Sequence, residues 1–350
     1  METSSPRCWP HSPSMRLNAR HPPQRPGLRQ PRNAWVTCSR MPAARWPIRL
    51  RASARCGPSG YGPVIGPVDR TRRVGACMAD SRDQEQIAAD YRRARAARDV
   101  NAMRRFQNEE ACFVLLAILE RLATEKSSFI HGVALKGGIL MAGELHSPRS
   151  SADIDATTGH MQRLEADQVI GDLRRAGRAF NVRPDGEPER TPGGLIVHFR
   201  FDSITDAGSA KLEVSVREDL IFAVRDAFFD VSAFGLSPFE VPAVAQVELV
   251  AEKIRTVVQR AQPRDLFDLR FYLVQSGWHL DAGDLRKAVD AKLALTRYRR
   301  WRAGLWRNNI AAIEKAWDEN LLSWIDPNQL PPFDTALEEV DRRLRELHLD

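Results

Sequence analysis

The sequence predicts an α/β protein: a mixed sheet core over residues 78–240, followed by a helical domain over residues 241–350 that packs beside the sheet. Three observations carry that reading. Short stretches in which apolar and polar side chains alternate interleave with helical stretches as far as about residue 240. From Gln246 onward the apolar positions recur at helical spacing nearly to the end, with breaks at Pro263, at Gly277 and over residues 327–332. Residues 1–77 show neither period.

Those first 77 residues hold fourteen Arg, no Lys, and only Glu2 and Asp69 as acids, together with twelve of the 22 Pro and four of the five Cys. Their net charge is +12 against +7 for the whole chain, so residues 78–350 carry −5. The basic balance therefore belongs to this leader. Three readings compete for it: a basic arm for nucleic acid, an organelle-targeting peptide, or sequence upstream of a true start at Met78. Twelve prolines oppose the amphipathic helix that a targeting peptide needs. Cys and aromatic residues scattered without spacing are odd in a phosphate-binding arm. The start at Met78 is the favoured reading, because residues 81–84 directly after it resemble a capping box that opens a helix.

Cys112 is the one cysteine after the leader, which excludes a disulfide framework or a thiolate zinc site in the folded part. No apolar run approaches a membrane span and no secretory segment opens the chain, so a soluble, cytoplasmic protein is expected.

The elements follow in order. A charged helical stretch leads to a helix with Phe113, Leu116, Ile118, Leu119 and Leu122 on or near one stripe. Residues 133–136 read as a short buried strand ending at Gly137 and Gly138; a helical turn of small residues follows, then a strand carrying Asp153 and Asp155. Residues 161–176 fit a helix. Residues 195–201 and 210–216 alternate as strands joined by a polar turn through Asp206 and Gly208.

The chemistry gathers around the acidic strand. Alternate residues of a strand share a face, so Asp153 and Asp155 point into one cleft while Ile154 points into the core. Two adjacent carboxylates repel unless a cation sits between them. Mg²⁺ is the expected cation, since it takes hard oxygen ligands and keeps positions for water and substrate phosphates. An exposed polar strand is the plain alternative. Gly137 and Gly138 stand where a strand meets a helix, a place where bare backbone and unpaired N–H groups can approach a phosphate, although a simple tight turn would look the same.

Ser151 is expected on the face of the Asp pair with its hydroxyl toward a triphosphate oxygen. Arg149 shares that face if the strand reaches it, and is otherwise a solvated strand end. Lys136 points from the glycine turn to phosphate or to water. In the helix from Val247 to Gln259, Val247, Val250, Ile254, Val257 and Val258 form the buried stripe, with Lys253 at its margin, where a lysine commonly snorkels to solvent. Beyond Pro263, Asp265 and Asp268 lie three residues apart and so on one helix face. Helix capping accounts for Asp265 but not for Asp268.

Taken together these residues resemble the AbiEii/AbiGii-type nucleotidyltransferases, the toxins of type IV toxin–antitoxin and phage abortive-infection systems, which include the MenT toxins. The shared pattern is Lys136-Gly137-Gly138-Ile139-Leu140, then Arg149, Ser151, Asp153, Ile154, Asp155 and Ala156, then Ala251-Glu252-Lys253, then Arg264-Asp265 with Asp268, in that order over residues 100–290. Ile139 stands where the family usually has Thr, which removes a hydroxyl from the phosphate turn. Ala156 stands for the usual Leu and concerns packing.

The resemblance implies a nucleotidyltransferase-type mixed sheet, with Asp153 and Asp155 as ligands of Mg²⁺ and Ser151, Arg149, Gly137 and Gly138 as contacts of a nucleoside triphosphate. It implies that Lys253 meets the phosphates and that Asp268, with Asp265 beside it, completes the active site. A third carboxylate is usual on a neighbouring strand. Glu213 is the candidate, on the face it shares with Lys211 and Ser215, where a cross-strand salt bridge is the alternative. An acceptor hydroxyl would attack the α-phosphorus, with Asp268 or Glu213 as candidates for the general base. The resemblance also implies an RNA acceptor, the 3′ end of tRNA, and a cognate antitoxin protein. Arg297, Arg299, Arg300 and Arg302, interleaved with Tyr298 and Trp301, or the pair Arg174 and Arg175, could meet RNA or simply face solvent. A protein or small-molecule acceptor, or a noncatalytic nucleotide- or partner-binding protein of the same fold, are the other readings.

Overall fold

The computed structural model describes residues 84–158, 165–216 and 220–349. The Arg-rich leader, the start at Met78 and the cap at Ser81 lie outside them. Helices α1 (Gln84–Ala97) and α2 (Val100–Thr124) form a hairpin. The chain reverses through Arg98 in the left-handed region, and the Asp99 side chain caps α2 by accepting from the Ala102 N–H at 2.9 Å. Ile87, Tyr91 and Ala94 of α1 pack on Ala102 and Phe106 of α2.

The second half of α2 departs from the expected single stripe. Val114, Leu115, Leu116, Ile118, Leu119 and Leu122 are all fully buried, while Phe113 is only half-buried. The sheet lies against one side of α2 and further helices against the others, so this helix is apolar nearly all round. Cys112 is buried within it, and burial pushes its thiol up to about 11.

After the short α3 (Ser128–His131) come β1 (Ala134–Lys136), α4 (Gly137–Leu145), β2 (Asp153–Thr157), α5 (Ala166–Ala176), β3 (Arg183–Pro184), β4 (Glu189–Thr191), β5 (Gly194–Arg200), β6 (Ser209–Ser215), β7 (Arg225–Phe229) and β8 (Phe239–Ala243). The strands form one mixed sheet in the order β3-β5-β6-β2-β1-β8-β7, with β4 also on β5. At its centre β2 runs parallel to β6 and antiparallel to β1, which runs parallel to β8.

The mixed α/β expectation is borne out; β1 stands where a short buried strand was read, and β2, β5 and β6 where alternation placed them. The helix expected over residues 161–176 is described from Ala166; residues 161–164 lie outside the described set. Strands β3, β4, β7 and β8 were not anticipated. Pro242 explains the omission of β8, because proline cannot donate to a ladder. It is tolerated since β8 meets β1 only through Leu135 and Ala243.

The last third is helical, as expected: α6 (Gln246–Arg260), α7 (Pro263–Arg270), α8 (Ala282–Ala294), α9 (Ile310–Lys315), α10 (Trp317–Leu321) and α11 (Phe333–Glu346), with a π-helical turn at Phe271–Gln275. The division at 240/241 falls within β8, and Leu135 and Ile154 of the sheet belong to one apolar core with Val250, Leu266 and Val340 of the helices. Among the described residues no helix is long and apolar enough to cross a membrane.

Candidate active site

The sheet builds the floor of a cleft of about 570 Å³. Register sets its charges: Lys136 of β1 lies opposite Asp155 of β2, which lies opposite Glu213 of β6, and in the next rank Asp153 lies opposite Lys211. Ile154 and Ala156 alternate into the core and are fully buried. The expected pairing of Asp153 with Asp155 on one face is therefore present, and both line the cleft.

Arg149 and Ser151 reach the cleft by a different route from the one alternation suggests. β2 begins only at Asp153, and both residues lie in the loop that leaves α4 through a left-handed His146. The Ser151 hydroxyl donates to the Asp153 carbonyl at 3.2 Å, and the Arg149 side chain turns inward and is buried. Both still line the cleft.

The two glycines make this convergence possible. Gly137 has φ +77°, and a Cβ there would overlap the Asp155 carboxylate. At Gly138 a Cβ would come within 2.6 Å of Arg149 Nη2 and 2.7 Å of Ser151 Oγ. The helix that starts here, α4, has no side-chain cap, so its first N–H groups sit bare beside the Asp pair.

Helices α6 and α7 supply the facing wall. Lys253 does not snorkel outward: its Nζ lies 2.7 Å from Asp268 Oδ2 and 3.6 Å from Asp265 Oδ1. Arg149 donates to the same Asp268 through Nε at 2.7 Å and Nη2 at 3.1 Å. Arg260 donates to Asp265 through Nε at 2.7 Å and Nη2 at 2.9 Å. Asp265 and Asp268 share a helix face, as their spacing predicts, and both are fully buried. Capping does not account for Asp265, since Gln262 holds the N-cap position of α7.

Electrostatics divide the cleft into two kinds of carboxylate. Burial raises the pKa of Asp155, and the neighbouring Asp153 raises it further against the opposing pull of Lys136 and Lys253. Burial also pushes Asp265 upward, but the hydrogen bonds from Arg260 and the charges of Lys253, Arg260 and Arg264 outweigh it and hold this carboxyl below its usual range. For Arg149, burial works against the charged form, and the Asp268 carboxylate more than restores it.

Glu213 and Asp268 each have cation partners. Glu213 accepts from Lys211 of its own strand at 3.1 Å, an i,i+2 pair rather than a cross-strand one. Glu213 lies opposite Asp155 on the neighbouring strand and lines the same cleft as the Asp pair. Asp268 is enclosed by Arg149 and Lys253 on both oxygens, which suits an anchor better than a base. Asp153 and Asp155 fit a Mg²⁺ ion as two of its ligands: both are hard oxygen donors on one face, and Asp155 is burdened by the charge of Asp153.

Arg260 is a site residue the sequence did not disclose, and so are Glu248, Tyr272 and Lys292 of the cleft lining. Lys211 stands on the alternating face of β6 where the sequence placed it. Nothing local marks Arg260, which pairs with Asp265 across a helix break at a left-handed Ala261. The residues lining the cleft carry eight Lys or Arg side chains against six Asp or Glu. A modest excess of cations in a molecule whose residues 78–350 are net acidic favours a polyanionic guest.

Among solved structures, MenT4, nucleotidyltransferase toxin Rv2826c from Mycobacterium tuberculosis H37Rv, is similar at 18% identity, covering 74% of this chain and 98% of its own, with a TM-score of 0.45. JHP933 from Helicobacter pylori is similar at 16% identity over 67% of this chain and 89% of its own, with a TM-score of 0.43. A putative nucleotidyltransferase from H. pylori is similar at 16% identity over 67% and 92%, with a TM-score of 0.40. A comparison with curated proteins finds no match. These structural likenesses are loose. The family model for the nucleotidyl transferase AbiEii toxin of type IV toxin–antitoxin systems matches residues 117–339, well over half of the chain. The chain belongs to the AbiEii family of nucleotidyltransferase toxins.

Proposed function

We propose that the cleft binds a Mg²⁺-bound nucleoside triphosphate and transfers its nucleoside monophosphate to a hydroxyl at the 3′ end of tRNA, in the cytoplasm, with a cognate antitoxin holding the activity in check. One observation carries this reading: Asp153 and Asp155 share a strand face directly against the bare start of α4, with Lys253 on the opposite wall of the same cleft.

Each residue has a part. Asp153 and Asp155 hold the metal, which when bound offsets phosphate charge and makes the α-phosphorus more electrophilic. The N–H groups at Gly137 and Gly138 and the Ser151 hydroxyl receive phosphate oxygens. Lys253, held in place by Asp268, opposes the charge that builds on the departing pyrophosphate. Asp265 fixes Arg260 at the rim and steadies Lys253. Arg149 braces the wall through Asp268 and also faces the cleft, where it is available to the triphosphate.

The acceptor oxygen attacks the α-phosphorus in line, the bond to pyrophosphate breaks, and the hydroxyl proton leaves to a base. Glu213 is the carboxylate best placed to take that proton, being half-exposed and unenclosed by the wall pairs. The test is incubation of the full chain with Mg²⁺, each labelled nucleoside triphosphate in turn, and total tRNA. Label in tRNA with wild type and not with Asp153→Ala supports the reading. Label in a protein or a small molecule instead would move the acceptor to that class.

A further inference from the structure

We infer that the loop over residues 295–304 is the surface on which the phosphodiester backbone of the RNA acceptor rests, an inference that stands on the RNA reading above. The loop follows α8 at the edge of the cleft. Its first two residues, Leu295 and Thr296, line the cleft, while Arg297, Arg299, Arg300 and Arg302 are exposed beyond it. A strand entering the cleft by this edge would pass over four guanidinium groups.

Unlike Arg149, Arg255 and Arg260 of the cleft, these arginines have no ion-pair partner among the described residues. Arg149 and Arg260 each have a buried Asp. Among the described residues Arg299, Arg300 and Arg302 form no ion pair, and Arg297 lies over the Tyr298 ring at 4.8 Å with its Nη2 donating to the Tyr298 hydroxyl at 2.7 Å. Four unneutralised charges within six residues are not a reflection of general basicity, because residues 78–350 sum to −5. Phosphate, which guanidinium binds through paired N–H donors, is the chemistry that fits them.

The loop is also held in one shape. Trp301 is buried, and its backbone N–H donates to Asp290 Oδ1 at 2.7 Å. The Thr296 hydroxyl donates to the Leu293 carbonyl at 2.8 Å and accepts from the Tyr298 N–H at 3.1 Å. Anchors at both ends fix the arginines relative to the cleft, which lowers the entropic cost of engaging a strand. The half-buried Tyr298 and the exposed Leu295 add apolar surface on which an unpaired base can lie.

The test is the full chain carrying R297Q/R299Q/R300Q/R302Q, assayed for the KM of tRNA at several salt concentrations, for the KM of the nucleoside triphosphate, and for Tm. The inference expects KM for tRNA to rise at least roughly tenfold and the salt slope to fall by about 3–4, from four lost contacts at about 0.7–0.9 each. Tm and the nucleotide KM stay at wild-type values, and the R→K version of the same four positions keeps the salt slope. Wild-type tRNA kinetics in the Gln variant would overturn the inference and leave the RNA reading standing. A loss of nucleotide affinity would also overturn it, by placing the loop at the triphosphate. No labelling of tRNA by wild type itself would remove the RNA reading on which the inference stands.

Discussion

Arg149 and Asp268, 119 residues apart, meet through two hydrogen bonds of 2.7 and 3.1 Å inside the wall of the cleft. The pair ties the loop between α4 and β2 to helix α7 and gives Lys253 a fixed anion at 2.7 Å. Substrate-facing and structural carboxylates are thereby separated: the Asp153–Asp155 pair opens on the cleft, whereas Asp265 and Asp268 are buried among cations.

That separation predicts opposite consequences for two substitutions that both abolish transfer. Asp268→Ala leaves two cations in the wall without their anion and should destabilise the protein by about 3–5 kcal/mol. Asp153→Ala removes a side chain about 40% exposed and should leave stability nearly unchanged. Chemical denaturation followed by circular dichroism distinguishes the two. Equal unfolding midpoints would show that the wall network does not stabilise the fold.

Gly137→Ala should impair catalysis and stability together. The left-handed backbone alone costs a non-glycine residue about 1–2 kcal/mol, and the added methyl would displace the Asp155 carboxylate. Gly171, on the other hand, has open space around its Cβ direction, so Gly171→Ala in α5 serves as the control and should be neutral or slightly stabilising. If Gly137→Ala retained full transfer, the close approach of Asp155 to the α4 start would not be needed.

Asp155 should cost the metal-free protein stability at neutral pH. Its folded pKa is raised above the unfolded value, so ionisation favours the unfolded chain, and the loss sets in as pH rises from the unfolded value through the folded one. Asp155→Asn should accordingly raise Tm at pH 7 in chelator, and the gain should vanish at pH values below both pKa values. A Tm lowered by Asp155→Asn at pH 7 would contradict this.

Asp265 runs the other way. Its folded pKa lies below the ordinary 3.8, so its contribution is complete above that value and is lost as pH falls through the folded pKa. Acid unfolding followed by tryptophan fluorescence should begin at a higher pH in Arg260→Gln, because Arg260 provides the hydrogen bonds that keep Asp265 ionised. An unchanged acid midpoint would mean that Lys253 and Arg264 hold it without Arg260.

Much of the floor was legible in the sequence because strand alternation is local: Asp153, Ile154 and Asp155 announce which side faces the cleft, and Lys211 with Glu213 does so for β6. The wall was legible only as spacing. Asp265 and Asp268 could be placed on one face, but their partners lie on another helix and on a distant loop, so Lys253 read as a solvent-facing margin and Arg149 as a possible strand end. Long-range ion pairs leave no local period. Burial on several sides likewise blurred the stripe of α2, and a proline masked β8.

The most direct test of the central claim follows the fate of each phosphorus. The full chain is incubated with Mg²⁺, tRNA and a nucleoside triphosphate labelled at either the α or the γ position, beside Asp153→Ala. The account predicts α-label joined to tRNA, γ-label released as pyrophosphate, and neither event with the variant. Appearance of γ-label in tRNA, or undiminished α-transfer by Asp153→Ala, would contradict the account.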